Sequence, residues 1–260
     1  MRSVTLGLVA ALALFVPAGA RGAGGPDDLV AKAAHNQGLS LYARDRCRYE
    51  QRLLMERYDY DMKKKEIGKL IAKRQTTVVV EPAPAPDETG MLPVVTRVVA
   101  DTDDKGEPKE KVDPNAKTGL ASGAFLDVIF FPLLPENVAY LTVEEVPSEA
   151  AGERWIKFSP RVGADPQPSR PLVSGLAQLD ATTGEVLTIR VSGVTNLKAL
   201  DKYLDKIASF TAVIDYSQFA GKYRMPAAAK GAGVSDVNRF KGYFKFQFEE
   251  GKYAPVMSIE

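Results

Sequence analysis

One histidine and one cysteine among 260 residues set narrow limits on the chemistry this chain can perform. Metal catalysis needs clustered ligands. His35 and Cys47 give no H-x-x-H, H-E-x-x-H or C-x-x-C spacing, so no metal site is expected. A serine–histidine–aspartate triad would have to use His35, and no serine stands in a G-x-S-x-G turn. His35 reads as a surface residue of a helix. Gly231-Ala232-Gly233 lacks the rest of either glycine-rich phosphate fingerprint. Asp101-Thr102-Asp103-Asp104-Lys105-Gly106 opens like a calcium loop, but Lys105 takes the fifth position and Val112 the twelfth, where a glutamate is required. A solvated turn is the simpler reading. Two carboxylates can hydrolyse a glycoside from opposite sides of the bond, and Glu144, Glu145, Asp180, Asp215 and Glu249 are candidates. Solvent-facing strand charge explains them equally well. Lys63-Lys64-Lys65 with Lys69, Lys73 and Arg74 is the basic cluster. It suits either an anionic surface such as lipid headgroups or a solvated hairpin end. The expectation is a protein that is not an enzyme and carries no cofactor.

The residues that would position any site begin with a leader. Arg2 precedes an apolar run from Val4 to Val16, and Pro17-Ala18-Gly19-Ala20 ends it in small residues. This is the pattern of a secretory signal peptide, too short to span the ~30 Å hydrocarbon core. Residues 1–20 are thus expected to be removed, leaving the chain in the periplasm or secreted, with peripheral membrane contact at most. Losing Arg2 reduces 34 cations to 33, equal to the 33 acids. A balanced charge argues against nucleic acid as a partner. The single cysteine allows no intrachain disulfide, so stability must come from packing.

Residues 21–26 read as a flexible terminus and 27–260 as one domain. Asp27-Asp28 can cap a helix whose apolar positions Leu29, Val30, Ala33, Ala34 and Leu41 recur at helical spacing. From Arg46 the period switches to two, placing Cys47, Tyr49, Leu53 and Met55 on one face of a strand. Asp59–Gly68 reads as a turn. Strand cores follow at 76–80 and 94–99, with exposed connections at 81–93 and 101–119. Ala121–Leu134 reads as a short buried helix broken at Pro132. Strand cores are then expected at 138–146, 154–158, 175–180, 186–191, 210–219, 222–225, 240–248 and 256–259. A tight turn falls at Thr182–Glu185 and an irregular crossover at 196–207.

This alternation, interrupted by two apolar segments, predicts an α+β fold. A curved antiparallel sheet of about eight to eleven strands should carry the N-terminal helix and the short apolar helix on its concave side. Arg154–Arg161, Gly175–Val186 and Tyr216–Pro226, with Arg48–Arg52 after the opening helix, resemble the periplasmic lipoprotein-sorting (outer-membrane lipoprotein carrier-like) superfamily. That resemblance implies an incomplete antiparallel barrel whose apolar interior accepts acyl chains in the carrier members. Candidate interior residues are Phe125, Phe130, Trp155, Phe158, Leu187, Ile189, Phe210, Ile214, Phe244 and Phe246. They build either a ligand cavity or a filled core. The expected function is a non-catalytic binding module for a lipid, a lipoprotein or an envelope protein. A filled-core protein-interaction module is the alternative, and a carboxylate-dependent glycosidase the more distant one.

Overall fold

The computed structural model describes residues 26–83, 93–116, 124–147, 152–162, 170–199, 206–236 and 241–259. The expected leader 1–20, residues 21–25 and most of the 81–93 connection lie outside these. Helix α1 (Pro26–Arg44) precedes β1 (Cys47–Asp61), β2 (Glu66–Pro82) and β3 (Val94–Asp101). Helices α2 (Ala124–Phe130) and α3 (Pro135–Val138) follow. The rest is β4 (Leu141–Val146), β5 (Glu153–Pro160), β6 (Leu172–Asp180), β7 (Val186–Thr195), β8 (Ile207–Phe219), β9 (Tyr223–Ser235) and β10 (Gly242–Pro255).

These ten strands form one open antiparallel sheet in the order β3-β2-β1-β10-β9-β8-β7-β6-β5-β4. Strands β4 to β10 are a plain meander, as short links between strands require. The β1–β10 ladder, from Cys47↔Pro255 to Tyr58↔Tyr243, joins it to the N-terminal three strands. Because β3 and β4 lie at opposite edges, the chain between them must cross a face of the sheet. That crossing is α2–α3, which explains its composition: Phe125, Leu126, Ile129, Phe130, Phe131 and Leu133 are all buried. In a flat sheet β1 and β4 would lie ~34 Å apart at ~4.8 Å per strand. Helix α1, ~28 Å long at 1.5 Å per residue, nevertheless touches both, along with β7 and β9. The sheet therefore wraps around the helices as an incomplete barrel, with α1 and α2 on the concave side.

Several local expectations need correcting. The first turn is only four residues long, 62–65, so β1 and β2 run out as a long hairpin. Glu81 and Pro82 belong to β2, paired with Val95 and Val94, and Asp101 is a buried residue of β3. Pro135–Val138 is a helical turn, because a proline at its start pre-sets φ for a helix and supplies no strand N–H. The expected strand 256–259 is irregular chain, tied by the Val256 N–H donating to the Arg46 carbonyl at 2.9 Å. Strand β9 runs ten residues past Met225 through an Ala- and Gly-rich stretch that carries no apolar alternation.

The glycines explain that stretch. A Cβ on Gly231 would lie 2.2 Å from the Thr211 carbonyl oxygen and 2.6 Å from the Phe246 ring; one on Gly233 would lie 2.6 Å from the Phe244 ring. Two phenylalanines of β10 therefore lie across the bare backbone of β9. Gly231→Ala should destabilise the protein by about 2–4 kcal/mol through this clash. Ala232→Gly, on the other face of the same strand, should cost no more than about 1 kcal/mol. Urea denaturation midpoints of the two variants test the difference.

Candidate functional site

The structure brings eight of the ten interior candidates together. Phe125, Phe130, Phe158, Ile189, Phe210, Ile214, Phe244 and Phe246 are all buried in one contiguous core with Leu29, Val30 and Ala33 of α1. Their rings pack on each other. Phe210 stacks on Phe246 at 5.6 Å, Phe125 meets Phe210 edge-on at 5.3 Å, and Phe130 meets Phe248 at 5.2 Å. Such pairings are the offset and edge-to-face geometries that aromatic quadrupoles favour.

Trp155 and Leu187 are corrections. Trp155 alternates with the buried Ile156, so it faces outward, where the Arg190 guanidinium lies 4.6 Å from its ring centre. Leu187 sits at a bulge: Gln178 pairs with Thr188 but Leu179 pairs with Val186, so Leu187 is the extra residue and Val186 takes the inward place.

The polar centre of this interior escaped the sequence reading. Arg44, the last residue of α1, is 3% exposed, and Glu250 on β10 is 6% exposed. Arg44 donates from Nε to Glu250 Oε1 at 2.6 Å and from Nη2 to Oε2 at 2.9 Å. Its Nη1 donates to Asp127 Oδ1 of α2 at 2.7 Å. Gln51 Nε2 and the Tyr253 hydroxyl also donate to Glu250, at 2.8 and 2.5 Å. The guanidinium lies 4.8 Å from the Tyr49 ring centre. A fork-shaped cation thus ties α1, α2, β1 and β10 together. A second tie is Gln37, whose Nε2 donates to the Phe130 carbonyl at 3.3 Å while its Oε1 accepts the Leu133 N–H at 2.8 Å. The Tyr216 hydroxyl donates to the same Phe130 carbonyl, satisfying the orphan acceptor at the end of α2. The sequence did hold a signal. Glu250 continues the inward parity of Phe244, Phe246 and Phe248, and Gln51 continues that of Cys47 and Tyr49.

The candidate carboxylates are dispersed. Glu145 pairs with Arg154, and Asp180 caps the Thr182–Thr183 turn. Asp215 accepts from Thr188, and Glu249 lies 3.6 Å from Arg52. The basic run is also divided. Arg74 binds the buried Asp101 and Lys73 binds Glu56, while Lys63, Lys64, Lys65 and Lys69 stay on the exposed hairpin end. The Asp103 carboxylate accepts the Lys105 and Glu107 N–H groups of its own turn, and His35 is exposed on α1.

The outer face carries a groove of about 450 Å³ across β1, β10, β9, β8 and β7. Its side chains include Leu54, Val213, Ala232, Arg190, Lys230 and Lys245. The register places Leu54, Gln247, Lys230, Val213 and Arg190 in one row across these strands.

No family model and no curated protein matches the chain. Among solved structures it is similar to a DUF1329 family protein from Desulfovibrio piger. That match has 8% identity and a TM-score of 0.36, covering 90% of this chain and 94% of that one. It is also similar to MucB in complex with MucA(peri), at 10% identity and a TM-score of 0.21, covering 86% of this chain and 100% of that one. Both scores are too low to carry function from those proteins to this chain.

Two predictions follow from the Arg44 centre. Arg44→Met leaves Glu250 buried without its cation and should cost about 3–5 kcal/mol, whereas Arg44→Met with Glu250→Met should recover much of that loss. Equilibrium unfolding of both variants measures the coupling. Asp45, next to the clamp, is pushed up from 3.8 to about 6, by burial first and by the Asp127 charge second. The folded chain therefore holds this proton more tightly than the unfolded chain does. The cost of charging Asp45 is absent below about pH 3.8 and complete above about pH 6. Asp45→Asn should raise stability by about 1–2 kcal/mol at pH 7.5 and leave it unchanged near pH 3.5. Thermal melts at the two pH values test the sign.

Proposed function

We propose that the chain is an exported, non-catalytic binding module whose interior is a filled core. Its partner, an apolar or amphipathic component of the cell envelope, is met on the outside of the sheet. The observation that carries this reading is the packing of Phe125, Phe130, Phe210, Phe244, Phe246 and Phe248 against one another and against α1. An acyl chain can enter such an interior only by displacing a cover. Here the cover is bolted down: Arg44 holds α1 to β10 and α2, and Gln37 holds α1 to the turn after α2. Releasing it would expose buried charge as well as apolar surface. On this reading the chain resembles the lipoprotein-carrier-like proteins in its curved sheet and lacks their interior acyl site.

The non-catalytic part rests on the same geometry. A glycosidase places two carboxylates on either side of a substrate groove. Glu250 and Asp127 approach each other on the inner side, but both are held by Arg44. Export and a periplasmic location rest on the leader pattern of residues 1–20. Outward surfaces suited to a partner include the β1–β2 hairpin end, where Met62, Ile67, Leu70 and Ile71 are exposed among lysines.

Native mass spectrometry of the protein purified from the periplasmic fraction tests the reading. The expected spectrum shows the mature chain alone, with no added mass before or after solvent extraction. A co-purifying lipid that leaves on extraction, with a fall in melting temperature, would instead establish an interior carrier.

A further inference from the structure

The outer groove has a shape and a charge that the filled interior does not explain. Within the groove strand β9 presents only Lys230, Gly231 and Ala232, so its backbone around Gly231 and Ala232 forms a low floor beside Lys230. Leu54 of β1 and Val213 of β8 add apolar wall. Three cations border this floor. Lys230 rises from its centre, and Arg190 stands two strands away in the same register row, ~10 Å off at ~4.8 Å per strand. Lys245 is a diagonal neighbour of Lys230, since Lys245 pairs with Ala232 and Gln247 with Lys230.

None of the three makes a carboxylate ion pair among the described residues. Arg190 lies on Trp155 at 4.6 Å, and Lys245 lies 5.3 Å from the Tyr58 ring centre. Glu56, the acid that lines the groove, is 3.3 Å from Lys73 and accepts the Tyr58 hydroxyl at 2.9 Å. Asp215 and Glu249 lie one register row away, next to Thr188 and Arg52. Glu56 also stands directly across from Lys245 and feels its charge, so Lys230, opposite Gln247 and Val213, and Arg190, opposite Val213 and Leu176, are the groove cations with no acid across from them.

We propose that this groove binds a small amphipathic anion, one phosphate or carboxylate head on a short alkyl body. The head sits on Lys230, with the Arg190 and Lys245 charges further off on either side, and the body lies along Leu54, Val213 and Ala232. A charged head on Lys230 forms charge-assisted hydrogen bonds in a positive surround, while the body removes apolar floor from water. The volume of about 450 Å³ falls in the usual range of small-ligand sites. This deepens the outside-binding reading by naming the partner's chemistry. The two fail separately, because the native mass tests the interior and the following titration tests the groove.

Trp155 is the only tryptophan in the chain, and Arg190 lies on it, so its fluorescence reports on the groove. The mature protein is titrated below micelle formation with decyl phosphate and decanoate, and separately with inorganic phosphate and decyl maltoside. Calorimetry runs beside the fluorescence. A saturable response to either anionic amphiphile is expected, with inorganic phosphate and decyl maltoside weaker by about tenfold or more. Lys230→Glu should weaken the amphiphile by about tenfold or more, while the exposed Lys198→Glu leaves it unchanged. The proposal is overturned by three results: no saturable heat or fluorescence change with either amphiphile, inorganic phosphate or decyl maltoside binding as tightly as decyl phosphate, or undiminished binding in a folded Lys230→Glu protein.

Discussion

A buried guanidinium decides how this sheet is closed. An open antiparallel sheet with one apolar face must cover that face, and here the cover is two helices from distant parts of the chain. Hydrophobic contact alone would hold them, but it is non-directional and would tolerate sliding. Arg44 removes that freedom. Its planar fork fits Glu250 through two nitrogens and Asp127 through a third. Gln51 and Tyr253 complete the acceptors, and Tyr49 closes over the cation. Such a centre adds little net stability compared with an apolar replacement, yet it is very costly to break from one side. Its role is register: the end of α1, the middle of α2 and the last third of β10 can meet in one way only.

Strand β9 is the second constraint, and it acts on both faces at once. On the inner face Gly231 and Gly233 admit the rings of Phe246 and Phe244. That lets Phe210 stack on Phe246 and Phe125 close over Phe210. On the outer face Gly231 and Ala232 leave a trough between β8 and β10. A β-branched β9 would have propagated more strongly as a strand. It would also have pushed the phenylalanines out of the core and filled the trough. Low strand propensity here is offset by ladders to two neighbours, β8 and β10.

This explains what could and could not be read from the sequence. Alternation in Phe210–Tyr216 and Phe244–Phe248 is strong because one face is apolar and the other polar, and both strands and their facing are legible. The open α+β sheet followed from those patterns. Ala227–Gly233 carries no such contrast, so its strand was invisible, although the glycine pair beside a strand of alternating phenylalanines was a clue to close approach. Trp155 was misplaced by its chemistry: apolar bulk suggested the interior, but parity with Ile156 and Phe158 puts it outside. Leu187 failed for another reason, since a bulge breaks the two-residue period without any mark in composition. The buried clamp was hidden because Arg44 and Glu250 lie 206 positions apart. Only the parity of Glu250 with Phe244, Phe246 and Phe248 hinted that it points inward.

The two ends of the sheet bear on where a partner can dock. An open sheet has two edge strands whose free backbone groups invite another chain. At one end the segment 102–116 folds back over β3. Val98 donates its N–H to the Pro114 carbonyl at 3.0 Å, and the Lys109 N–H reaches the Asp101 carbonyl at 3.0 Å. Asp101 anchors that segment through Thr76, Arg74 and Lys109. Burial opposes its charge, but those hydrogen bonds outweigh it and hold the carboxyl down to about 2. The anchor therefore stays charged in any neutral compartment. At the other end, β4 is only six residues long and carries Glu144 and Glu145, a short charged edge that disfavours strand addition. Among the described residues, then, one edge is covered and the other is short and charged, while the outer groove and the end of the β1–β2 hairpin stay exposed.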